Sequence, residues 1–111
     1  MMDLPYIEAT VRYLTTAEGG RKSGVASGYR GQFSYDGDDS DGIHSFPDFE
    51  EGAFIPLGET VRTRIAFPPD RWELRHSKGI VEGMSFDVRE GRRVVARGVV
   101  TAIFGDVEDR S

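Results

Sequence analysis

The chain has 111 residues, a formal net charge of −5, 38% hydrophobic and 30% charged side chains, and no cysteine. That length fits one domain, 1–111, burying roughly 65% of its unfolded surface around a single core, and the lack of cysteine excludes disulfides, thiolate zinc sites and thiol nucleophiles together. Met-Met-Asp-Leu-Pro has neither the basic nor the apolar part of a leader, and no apolar run is long enough to span a bilayer, so the expected location is the cytoplasm.

Charge is unevenly spread. The stretch Asp36 to Glu51 holds seven acidic residues and no Lys or Arg, which leaves the other 95 residues at +2. A uniformly basic surface is therefore excluded, while a local basic patch is not.

In chain order, Ile7, Ala9, Val11 and Tyr13 alternate with Glu8, Thr10, Arg12 and Leu14, the period of two that marks a strand with one buried face. The polar run Thr15 to Gly24 follows as a long turn, and apolar alternation resumes near Val25. Gln32-Phe-Ser-Tyr35 predicts a short strand with Phe33 and Tyr35 on one face. The acidic run Asp36 to Gly42 predicts a solvated hairpin loop, since Asp and Gly favour turns. Val61 to Phe67 and Met84 to Val88 alternate cleanly and predict two further strands. Pro69 to Lys78 has room for a helical turn, and Glu90-Gly-Arg92 supplies a turn into a last strand, Val94 to Phe104. There Gly98 marks a bulge or a close backbone approach. Short strands with no 3.6-residue periodicity predict an all-β fold, a six-stranded antiparallel closed β-barrel, because closure removes exposed sheet edges. The expected core is Ile7, Val11, Tyr13, Phe33, Val61, Ile65, Phe67, Met84, Phe86, Val88 and Val99.

Three separated motifs, Glu18-Gly-Gly-Arg21, Gly28-Tyr-Arg-Gly-Gln-Phe33 and Arg89-Glu-Gly-Arg-Arg93, stand in one order along nearly the whole chain. In that order they resemble the C-terminal, third barrel domain of bacterial elongation factor Tu, here expected to stand alone. Gly31 replaces that family's proline, Arg92 replaces its second turn glycine, Lys22 stands where it has histidine, and Asp41 stands near a threonine that faces RNA. Pro56-Leu-Gly-Glu59 takes the place of its Pro-Gly-Asp element, and Asp70 to Gly79 is an insertion carrying Trp72, the only tryptophan. The family's barrel helps to hold the T-stem backbone of aminoacyl-tRNA and packs on a GTPase domain. By that resemblance the matching RNA-side positions are Arg21, Gln32, Glu90 and Gly91, with Lys22 beside them. Arg21 and Lys22 can meet phosphate, Gln32 a ribose hydroxyl or phosphate, and Gly91 permits close backbone approach. No nucleotide loop occurs in these residues, so elongation-factor activity is not carried over.

Other chemistry has weak support. Asp36 as the start of a calcium loop requires glycine at the sixth position and glutamate at the twelfth, where Asp41 and Pro47 stand. His44 and His76 belong to no catalytic signature and are expected on the surface. Gly19-Gly20 and Gly91 lack the strand-to-helix context of a phosphate loop. Arg62, Arg64, Arg89, Arg92, Arg93 and Arg97 are expected on outward positions, as a solvated stripe rather than a nucleic-acid track.

The sequence thus points to a non-catalytic binding module without cofactor, metal or nucleotide. Its expected partner is a protein, anchored at Trp72 and linked to translation. The alternative is an RNA-binding barrel that retains tRNA contacts through Arg21, Lys22, Gln32 and the Glu90-Gly91 turn. Salt separates the two: phosphate binding weakens steeply with ionic strength, whereas an interface centred on Trp72 tolerates it.

Overall fold

The computed structural model describes residues 6–35, 38–67 and 80–104, the side chain of Asp38 excepted. Within them lie β1 (Tyr6–Tyr13), a 3-10 turn (Thr16–Glu18), β2 (Gln32–Tyr35), β3 (Asp38–Asp41), β4 (Ile43–Ser45), β5 (Thr60–Ala66), β6 (Ser85–Glu90) and β7 (Arg93–Phe104). They form one antiparallel sheet in the order β3-β2-β6-β7-β1-β5-β4. The sheet curls into a nearly closed barrel. Its seam is a single bridge, where the His44 amide donates to the Tyr29 carbonyl and the Gly28 amide donates to the His44 carbonyl, both at 2.8 Å.

The all-β antiparallel architecture agrees with the sequence, but there are seven strands rather than six, and closure is incomplete. Two strands went unforeseen, β3 and the short β4. Asp is a poor strand former, yet Asp38–Asp41 pairs along the full length of β2, with Ser40 turned inward and Asp39 and Asp41 exposed. Its carboxylates blunt an edge that would otherwise invite pairing with another chain. The segment near Val25 makes one bridge to Ile55 and no strand.

Inward residues of all the long strands build the core. Phe33 is fully buried, stacked on Phe86 at 4.5 Å and edge-on to Phe67 at 5.4 Å, contacts of about 1 kcal/mol each beyond the area they bury. Of the expected core, Met84 is only partly buried, and Val99 is 39% exposed while Val100 is 1% exposed. Two bulges in β7 explain the error. Val88 pairs with Ala96 and Arg89 with Val94, so Val95 and Ala96 both turn inward; Thr101 is likewise skipped between the partners of Glu8 and Ala9.

Gly98 is a site of close approach. A Cβ there would lie 2.6 Å from Cζ of Phe86 and 2.9 Å from the Thr10 carbonyl oxygen. Because backbone cannot move aside as a side chain can, Gly98→Ala is expected to cost about 2 kcal/mol in urea unfolding.

Candidate nucleic-acid interface

At the end of β1, the chain folds back over the β6–β7 turn. Thr15 and Glu18 form a capping box: the Thr15 hydroxyl accepts from the Glu18 amide at 3.2 Å, and the Glu18 carboxylate accepts from the Thr15 amide at 2.8 Å. That amide, with Arg12 at 3.1 Å, draws the Glu18 carboxyl down to about 2. Gly19 ends the turn at φ 92°, and Gly20 has no space for a Cβ against the Leu14 carbonyl. The Glu-Gly-Gly part of the first motif is thus structural, and it delivers Arg21 to the surface.

Arg21 reaches across 69 residues to Glu90, with which it forms an ion pair. Tyr29 donates to the same carboxylate oxygen at 2.5 Å, and the Arg21 guanidinium lies over the Tyr29 ring at 5.0 Å. Partial burial opposes ionisation of Glu90, but the hydrogen bonds from Tyr29 and Arg21 and the charges of Arg21 and Arg93 outweigh it and hold its carboxyl below the usual range. Burial, and then the same carboxylate, push the Tyr29 hydroxyl upward. Arg21, Tyr29 and Glu90 therefore act as a locked unit of net charge zero.

Further cations adjoin this unit along the chain and across the β6–β7 turn. Glu90 pairs with Arg93 across the two-residue turn Gly91-Arg92, where Gly91 adopts φ 62°. Arg93 also donates to the Gly20 carbonyl at 3.4 Å, which ties the turn to the first loop. Lys22 and Arg30 flank Arg21 and Tyr29 in the chain, and both are exposed, as is Arg92. Lys22, Arg30, Arg92 and Arg93 make no ion pair among the described residues. Gln32 pairs with Arg89 on one side and Asp41 on the other.

Of the residues singled out in the sequence, Arg21, Lys22, Glu90 and Gly91 therefore meet at one end of the barrel, with Gln32 just inside the β2–β6 ladder. Trp72, with its whole segment, lies outside the described residues, as does His76. Tyr29, which donates to Glu90, was not singled out in the sequence. The arginine stripe divides. Arg62 and Arg64 are neutralised by Glu8 and Asp48, and Arg97 faces Asp87 at 3.6 Å. Arg89, Arg92 and Arg93 lie instead in and beside the β6–β7 turn and make no ion pair among the described residues.

His44 corrects an expectation, because it is fully buried rather than on the surface. Its Nδ1 lies 2.7 Å from the Tyr13 hydroxyl. Its Nε2 has no partner in hydrogen-bonding geometry, although the Gly31 carbonyl lies toward it and favours the protonated ring weakly. Burial dominates and draws the ring down to about 4, so His44 is neutral at pH 7. The rings of Tyr13 and Tyr29 pack against it, and Phe46 packs edge-on against Tyr13. The signal in the sequence was Gly42-Ile-His-Ser-Phe46, whose even positions all point inward.

A nearly closed antiparallel barrel with a cation-rich loop end has the architecture of a translation-factor barrel module. The family model described as the elongation factor Tu C-terminal domain matches residues 3–104, and the chain belongs to that family. The family's barrel is itself non-catalytic, the GTPase activity residing in a different domain. Among the described residues, no helix is long and apolar enough to cross a membrane, and no group of three or more His, Asp or Glu is placed to hold a metal ion.

Proposed function

We propose that this domain is a non-catalytic binding module whose working surface is the loop end around Glu90 and whose ligand is RNA, held through its backbone phosphates. The observation that carries this reading is the meeting of the first loop, which bears Arg21 and Lys22, with the β6–β7 turn, which bears Arg92 and Arg93, through the Arg21–Glu90 pair and the Arg93–Gly20 contact, in a chain of net charge −5. Cations clustered against the prevailing charge focus attraction for a polyanion. The resemblance-based tRNA positions Arg21, Lys22, Glu90 and Gly91 belong to this cluster, and Gln32 borders it.

Fluorescence anisotropy with bulk tRNA tests the proposal. Micromolar affinity at low salt is expected, with log K falling by roughly 0.7–0.9 per phosphate neutralised for each decade of salt. An absence of binding at low salt rejects it. Glu90→Gln leaves the charge of Arg21 unopposed, and RNA affinity is expected to rise about three- to tenfold in the same assay, with a modest loss of thermal stability.

A protein partner is the second reading. Phe54 favours it, being 73% exposed in a loop beside Glu50 and Glu51. Contact there would tolerate salt and fail on Phe54→Ala, whereas RNA binding would be indifferent to that change.

A further inference from the structure

One side of the barrel is closed by very little. At Tyr29 and His44 the ladder is reduced to two backbone hydrogen bonds, both 2.8 Å, and Arg30 and Gly31, which lead from that bridge into β2, form no strand. Under this seam lies the His44 ring, fully buried, with Nδ1 2.7 Å from the Tyr13 hydroxyl and Nε2 without a partner in hydrogen-bonding geometry. The ring is faced by Tyr13 from β1 and Tyr29 from the loop before β2, at 6.0 and 5.0 Å between centroids, by Ile65 opposite it on β5, and by the Gly31 carbonyl. Both phenol hydroxyls are pushed upward by burial and stay protonated in acid. Neither a carboxylate nor a cation acts on the ring; the charge nearest along this path, Glu90, sits beyond the Tyr29 hydroxyl, which donates to it at 2.5 Å. A protonated ring brings a charge and two N–H donors into a site that offers one hydroxyl and a carbonyl out of hydrogen-bonding geometry, and such a group is stable only where water reaches it. The weakest wall of the site is the seam, since β1 and β5 are held by whole ladders.

We propose that the Tyr29–His44 seam is an acid-operated latch: protonation of His44 opens it, and the opening takes Tyr29 away from Glu90. The link to the loop end is direct, because the residue whose carbonyl accepts half of the bridge also holds the carboxylate that pairs with Arg21. Opening therefore unlocks the Arg21–Tyr29–Glu90 unit while the ladders of β1, β5, β6 and β7 stay paired. With the seam open the ring titrates near 6.5, and with it closed near 4. The open fraction is flat above 6.5 and rises as pH falls between the two values, by about a hundredfold from pH 7 to pH 4. The latch is independent of what the loop end binds.

Native-state amide exchange in ¹⁵N-labelled protein, read as protection factors from pH 7 to pH 4, tests the latch at its two donors, the amides of Gly28 and His44. Their protection is expected to fall about a hundredfold over this range, to stay below that of the β1 amides throughout, and to be unaffected by low urea, to which the β1 amides respond because they exchange on global unfolding. His44→Gln should flatten the pH dependence at Gly28. Tyr29→Phe removes the bond to Glu90 that opening must break, so both seam amides should exchange about fivefold faster at pH 7, with the pH slope retained. Seam amides that match β1 in protection and urea response overturn the latch, because the seam then opens only with the whole barrel. Exchange without pH dependence, or a slope that persists in His44→Gln, overturns His44 as the trigger, and seam exchange unchanged by Tyr29→Phe overturns the link to Glu90. Should His44→Gln not fold, Tyr29→Phe makes the same assignment: a retained slope supports His44, and a lost one places the titration at Glu90 and overturns it.

Discussion

Between pH 7 and pH 4 the domain is expected to lose about 3 kcal/mol of stability through His44 alone. In the unfolded chain this ring titrates near 6.5, and in the barrel near 4. Above 6.5 it is neutral in both states and costs nothing. As pH falls between the two values, the unfolded chain takes up a proton that the folded one refuses, and stability drains away until the folded ring is protonated too. Urea unfolding at a series of pH values measures the effect, and His44→Gln is expected to be less stable at pH 7 but flatter across this window. Glu18, Asp48 and Glu90, whose carboxyls are also held low, add an acid-side loss common to parent and variant. An equal slope in the two proteins would show that His44 is not buried as described. The consequence reaches the loop end, because His44 carries the backbone seam to Tyr29, and Tyr29 holds Glu90.

Arg21→Ala/Lys22→Ala is expected to weaken RNA binding at low salt by tenfold or more. Two cations leave the face, and the loss of Arg21 also leaves the Glu90 carboxylate unopposed, so a repulsive charge appears where an attractive pair stood. Stability should change far less. The Arg21–Glu90 pair is part-exposed, with side-chain exposures of 27% and 37%, and a pair of that kind contributes about 1 kcal/mol. Anisotropy and thermal melting on the same samples separate the two effects: unchanged binding would detach the loop end from the ligand, and a collapse in melting temperature would assign the pair a structural role instead.

Much of the fold was legible because one buried face writes a period of two into β1, β5 and β6. Where the period breaks, legibility fails. In β7 the bulges at Val95 and Thr101 reverse the phase, so Val99 could be chosen over Val100 by alternation alone. β3 was hidden because strand pairing with β2 overrides the turn preference of four polar residues. At the site the three motifs were visible, but not their division of labour. Glu18, Gly19 and Gly20 shape a turn, and their meaning depends on Thr15, which the motif does not include. Likewise Glu90, an RNA-side position by resemblance, is also the carboxylate that holds Arg21 and Tyr29, contacts across 69 and 61 residues that no local pattern encodes.

The most direct measurement is a map of backbone amide shifts in ¹⁵N-labelled protein on addition of a short tRNA-derived stem. Shifts concentrated at Gly20 to Lys22, at Gln32 and at Arg89 to Arg93, and fading as salt is raised, are what the cationic loop end predicts. Shifts scattered over the barrel, or centred on Ala53 to Ile55 with the loop end silent, would contradict it.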